Sequence, residues 1–278
     1  MFERLLIAVD GSDCATRAAR VGVAVAAKYG GTVDAVAAAH DELDEDDAQR
    51  VLADVEAIGE EAGVTVESRV VTGRPARSVV SLADEVDAGA IVVGRHGHSG
   101  FRERLLGSTT ERVLRNTDRH VLTVPAGDEP ADDYTDVLLP TDGSEDAAAA
   151  AAPAIDLAST YGATLHVLGV VDVVRESGPF SAGGVDQAYV DRLLDAEREG
   201  VDALADDCAD RAGGDLATER AAVTGTPSES IVEYVAEEGV DIVVMSSSGQ
   251  SSLTGQLLGS TTDRVLRTVD EPVLVVHP

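Results

Sequence analysis

The chain has 278 residues, with Asp+Glu 51 against Lys+Arg 21 and a formal net charge of −30, which argues against nucleic acid and anionic membranes, since both need a basic surface. Hydrophobic residues make up 44% and aromatic residues only 3%, so the cores must be built from Val, Leu, Ile and Ala, the residues of strands buried on both faces. Cys14 and Cys208 lie far apart and form no CxxC pair, which argues against a secreted disulfide scaffold.

The first apolar run, Leu5 to Val9, predicts a strand over 4–9. It is too short for a signal peptide or a membrane span, and a soluble, cytoplasmic protein is expected. Asp10-Gly11-Ser12 is a turn and cap signal opening a helix over 13–29. A strand over 32–39, a helix over 45–62 and a strand over 64–71 follow, then a helix over 75–87 and a strand over 90–93. After a glycine-bearing loop come a helix over 108–116 and a strand over 120–124. Strands alternating with helices require parallel pairing through right-handed crossovers, so the expected class is α/β with a doubly wound sheet.

The pattern then repeats. Leu5 to Asp13 returns as Val137 to Glu145, Tyr29-Gly30 as Tyr161-Gly162, Thr72 to Pro75 as Thr224 to Pro227, and Leu105 to Arg115 as Leu257 to Arg267. The offset is 132 at Asp10/Asp142 and 152 at Gly73/Gly225, so the second copy carries 20 extra residues between those landmarks. They fall around 175–200, in a Gly/Ser/Pro-containing stretch followed by a helical pattern, and either a cover for the second loop or a cover for an interface suits them. Two domains are expected, 1–126 and 135–278, joined by an acidic linker over 127–134 that contains Pro130. The acidic residues are dispersed through patterned segments and Lys28 is the only lysine, which suits a salt-accumulating, halophilic cytoplasm where ionic strength screens self-repulsion.

The chemistry concentrates after the fourth strand. Gly94, Arg95, His96 and Gly97 are followed nine residues later by Gly107, Ser108 and Thr109, which open a helix. Ligands of doubly wound sheets bind beyond the carboxyl ends of the strands. Glycines there can present backbone N–H groups, and a helix N-terminus adds free donors and positive dipole character. The combination suits a polyphosphate, although neither a Walker loop nor a GxGxxG fingerprint is present. Arg95, His96, His98, Arg102 and Arg104 add charge to offset phosphate. His96 and His98 have no third partner nearby, so no metal is expected. The competing reading makes the glycines turn residues, and Asp10 and Ser108 turn or cap residues.

Taken together, these segments resemble the universal stress protein family over nearly the whole chain, twice. In the ATP-binding members of that family the loop reads Gly, two residues, Gly, nine residues, Gly, Ser/Thr, and the first copy matches it through Gly94, Gly97, Gly107 and Ser108. The resemblance implies ATP as ligand, with or without Mg2+, Asp10 near the adenosine and Ala38 against adenine. It also implies two five-stranded sheets of order 3-2-1-4-5 and pairing of the two domains through their last strands, and it leaves a homodimer open. The second copy departs from the pattern. It keeps Asp142, Gly249, Gly259, Ser260 and Thr261 and has Val170 on the adenine side, but Ser246 replaces the first glycine and Ser246 to Gln256 contains no cation. The main site is therefore expected in the first domain and a weaker one in the second. A regulatory ATP-binding stress protein is the leading expectation. A weak ATPase and a nucleotide-free interaction protein are the alternatives, and no catalytic residue is assigned.

Overall fold

The structure, a computed structural model, describes residues 1–39, 43–96, 106–127, 133–173, 187–248 and 258–277. These fall into two compact units. One is Met1–Asp132 together with Leu266–His277, and the other is Asp133–Leu253 together with Gly259–Val265.

In the first unit the elements are β1 Arg4–Val9, α1 Asp13–Lys28, β2 Thr32–Ala39, α2 Glu45–Ala62, β3 Thr65–Thr72, α3 Pro75–Glu85, β4 Ala90–Gly94, α4 Ser108–Asn116 and β5 His120–Val124. The strands lie in the order β3-β2-β1-β4-β5, all parallel, as expected for 3-2-1-4-5. β10 (Val273–Val276), from the far end of the sequence, joins this unit by pairing antiparallel with β5, Leu274 opposite Leu122. Leu5, Leu6, Ile7, Ile91 and Leu122 are all buried at the centre of this sheet, each contributing on the order of 1.5–3 kcal/mol relative to exposure.

The helices form where the sequence supplies their ends. Ser12 caps α1 by accepting from Ala15 N, and Asp44 caps α2 by accepting from Asp47 N, each worth about 1 kcal/mol. Gly63 closes α2 in the left-handed region at φ 70°, and Pro75 occupies the first turn of α3. The buried face of α1 is mostly small (Ala15, Ala18, Ala19, Gly22, Ala26), which lets its backbone approach the sheet closely.

The second unit holds β6 Asp136–Thr141, α5 Glu145–Ala149, α6 Ala151–Tyr161, β7 Thr164–Val171, α7 Gln187–Arg211, β8 Thr218–Thr224, α8 Pro227–Glu238, β9 Ile242–Ser246 and α9 Ser260–Leu266. Its strands run parallel in the order β8-β7-β6-β9. The single helix α1 of the first copy is here divided into α5 and α6. Pro153 has no N–H for the carbonyl of Ala149, four residues back, and its ring crowds that carbonyl. A second proline, Pro140, stands where the first copy has Ala8. β1 pairs with β4 from Leu5 through Ala8, whereas β6 pairs with β9 only at Val137 and Leu138. A residue without an N–H cannot extend that ladder, so the two strands part toward their carboxyl ends.

The repeat extends to side-chain packing. Phe2 meets Tyr29 with ring centroids 5.0 Å apart, and Tyr134 meets Tyr161 at 4.8 Å. Among the described residues no helix is long and apolar enough to cross a membrane.

Candidate functional site

The first-copy site is built at the carboxyl ends of β1 and β4. The chain leaves β1 through Asp10, whose Oδ1 accepts from Ser12 N (3.0 Å) and Ser12 Oγ (2.6 Å). Gly11 sits at φ 81° in that turn. The turn-and-cap role of the Asp-Gly-Ser motif is thus realised, and at least one carboxylate oxygen of Asp10 is committed to it. Across the gap, Gly107 N donates to Arg95 O at 2.7 Å and Thr110 Oγ1 donates to Gly94 O at 2.7 Å. Two bonds therefore strap the start of α4 to the end of β4. Ser108 is exposed and Thr109 half-buried at the head of that helix. Gly107, at the N-cap position, offers no side-chain cap, in contrast to Ser12 on α1, so the first-turn donors are left to another acceptor. Ala38 is buried near the end of β2, opposite Val71 of β3. Gly97, with His98, Arg102 and Arg104, lies outside the described residues.

One expected role is corrected, that of Arg95, and Gly94 has a packing requirement beside its expected place in the loop. Gly94 is not among the residues of positive φ; the need for glycine is steric. A Cβ there would lie 2.9 Å from Cys14 C and 3.0 Å from Ala15 N, so the backbone of α1 occupies the space. Arg95 does not face the loop. Its guanidinium is buried, with Nε donating to Thr123 Oγ1 (3.3 Å), Nη1 to Val269 O (2.5 Å) and Nη2 to Glu271 O (2.5 Å). Burial lowers its pKa to about 10. Arg95 is a clamp for the segment leading into β10, and no longer counts among the phosphate-facing cations. His96 is half-buried, its N–H reaching Cys14 Sγ at 3.5 Å and its carbonyl 3.5 Å from Ser12 Oγ.

The second-copy site repeats this frame. Asp142 Oδ1 accepts from Ser144 N (3.1 Å) and Ser144 Oγ (2.6 Å), Gly259 N donates to Ser247 O (2.8 Å) and Thr262 Oγ1 donates to Ser246 O (2.9 Å). Ser246 fits where Gly94 stands in the first copy, and its hydroxyl accepts from Ser248 N at 3.3 Å. Here the parted ends of β6 and β9 border a cavity of about 330 Å3, at the small end of ligand pockets. Asp142, Val170, Ser246, Gly259, Ser260 and Thr261 all line it, so the structure brings together every expected second-site residue except Gly249, which lies outside the described residues. One wall was not expected residue by residue: Leu193, Ala196 and Glu197 of α7. The extra residues around 175–200 gave the signal, and their helical part supplies these three residues to the cavity wall; 174–186 lie outside the described residues. No lysine, arginine or histidine is among the described residues lining the cavity. The described residues contain no group of three or more His, Cys, Asp or Glu placed to hold a metal.

The fold defines a tandem α/β protein in which a helix start is strapped to the carboxyl end of the fourth strand in each copy. The sequence model of the universal stress protein family matches residues 1–125 and again 133–277; the chain belongs to that family. A universal stress protein of Mycolicibacterium smegmatis is 32% identical over 237 residues, 83% of this chain and 74% of that one. A universal stress protein of Methanocaldococcus jannaschii is 34% identical over 145 residues, 51% of this chain and 82% of that one. In fold the chain is similar to the crystal structure of a universal stress protein from Archaeoglobus fulgidus, with a TM-score of 0.71 at 22% identity, covering 99% of this chain and 98% of that one.

Proposed function

We propose that the protein binds ATP or a related adenine nucleotide and acts as a regulatory module of the stress response, with its main site in the first copy. The observation that carries this reading is the start of α4, tied to β4 by two hydrogen bonds while its first turn lacks a side-chain cap. Fixed donors with no acceptor among the described residues fit an anion, and the exposed hydroxyl of Ser108 and that of Thr109 add to them. In this reading the amides of Ser108 and Thr109, placed by Gly107, hold phosphate, Asp10 reaches the ribose, and the end of β2 at Ala38 flanks the base. His96 borders the phosphates and Gly97 lets the loop approach them. In this reading the output of nucleotide binding is conformational rather than catalytic.

Mass spectrometry of small molecules released on denaturing protein purified without added nucleotide tests this directly, an adenine nucleotide being the expected species. In calorimetry with ATP, Gly97→Val abolishes binding and Gly249→Val changes it little. Equal losses would contradict a main site in the first copy, and turnover of ATP faster than exchange of bound nucleotide would make the protein an enzyme.

A further inference from the structure

Among the described residues, the lining of the second-copy cavity carries charge of the wrong sign for a polyphosphate. Three carboxylates line it, those of Asp142, Asp172 and Glu197, against an apolar wall that includes Val170, Leu193 and Met245. Glu197 is the informative one. It comes from α7 and reaches across to β7, where a Cβ on Gly169 would lie 2.3 Å from Glu197 Oε1; glycine at that point leaves room for the carboxylate. No hydrogen-bond donor among the described residues meets it. Burial, and then the charge of Asp142, raise its pKa, so the site disfavours its own negative charge and a cation would relieve it. A triphosphate would add like charge beside these carboxylates.

We propose that this cavity takes a small organic amine, an apolar body carrying a protonated nitrogen, with Glu197 as the counter-charge. The apolar wall takes the body, the Glu197 carboxylate takes the N–H donors, and the hydroxyls of Ser260 and Thr261 border the mouth. The assignment does not rest on the nucleotide reading of the first copy.

Calorimetry on the full chain with tyramine, tryptamine and agmatine tests it, with tryptophol as the neutral counterpart of tryptamine. At least one amine is expected to bind at one per chain, and tryptamine, if it binds, at least about tenfold more tightly than tryptophol. Glu197→Gln is expected to weaken the amine at least about tenfold. Ala196→Lys, which places a cation on an exposed position of the lining, should weaken it as well while far-UV circular dichroism stays unchanged. Failure of all three amines to bind, equal affinity for tryptamine and tryptophol, or amine affinity unchanged in both variants would overturn the proposal. So would saturation by ATP at two per chain. Absence of ATP uptake would count against the first-copy reading alone.

Discussion

Asp136 and His166 are hydrogen-bonded, with Nε2 2.9 Å from Oδ1, at the positions where the first copy has Arg4 and Asp34. That earlier pair is also joined, Arg4 Nε to Asp34 Oδ2 at 2.8 Å. The two copies thus place opposite partners at the same two points of β1/β2 and β6/β7, with the acid moved from the second strand to the first. The histidine is buried and its other nitrogen lies 3.0 Å from the hydroxyl of Tyr234. One ring nitrogen thus faces the Asp136 carboxylate and the other the Tyr234 hydroxyl, so all three groups are paired.

This pair makes the second copy acid-sensitive. Burial pushes the Asp136 carboxyl up, but hydrogen bonds from His166 and Thr135 outweigh it and hold the pKa below the ordinary 3.8. Its stabilisation is therefore present above about pH 4 and lost as pH falls through the folded value. Urea unfolding at pH 6 and pH 3 should show a larger loss for the native chain than for Asp136→Asn. Parallel losses would remove the pair from the account.

The buried guanidinium of Arg95 predicts a mutational effect at a distance. Arg95→Met leaves the carbonyls of Val269 and Glu271 without their donors, at a cost of about 2–4 kcal/mol. Amide exchange in Val273–Val276 should accelerate while ATP affinity stays within about twofold. Lost affinity with unchanged exchange would return Arg95 to the phosphates.

Gly94→Ala tests the close approach of α1. With backbone atoms 2.9–3.0 Å from the new Cβ, strand or helix must shift, and a destabilisation of about 1–3 kcal/mol is expected from thermal unfolding. A neutral result would mean that α1 yields easily.

His277 gives a second pH effect. Burial, and then the neighbouring His120, lower its pKa from 6.5 to about 4, against a weaker opposing pull from Asp118, and its backbone N–H reaches His120 Nδ1 at 3.3 Å. Between those two values the unfolded chain binds a proton that the folded one refuses, so stability falls as pH drops from 6.5 toward 4 and levels off below, by up to roughly 3 kcal/mol. The protection factors of Val275 and Val276, corrected for the pH dependence of intrinsic amide exchange, should be lower at pH 4.5 than at pH 7, and His277→Phe should flatten the difference.

Much of the fold could be read in advance because its signals are local. Ser12 and Asp44 announce helix starts, Pro75 and Pro227 lie in first turns, and the apolar runs mark strands. The offset between repeats located the segment that includes α7. What the sequence concealed depends on partners far along the chain. Arg95 sits inside a loop motif and reads as a phosphate-facing cation, but its acceptors come 174 and 176 residues later. Gly94 reads as a ligand-loop glycine, while its constraint is the backbone of α1. Glu197 lies on a long acidic helix, and nothing local separates the one carboxylate turned toward Gly169 from its solvated neighbours.

The antiparallel pairing of β10 with β5 also orders events during synthesis. β5 emerges from the ribosome with Val121 to Val124 and waits for a neighbour, β10, that lies far along the chain, on the order of ten to thirty seconds at ordinary elongation rates. Throughout that interval a row of backbone donors and acceptors lies open and the Arg95 guanidinium has none of its later carbonyls. Nascent chains of this protein therefore pass through a stage in which the earliest half is assembled but unsealed, and that stage is where a chaperone or a mispairing chain would engage it.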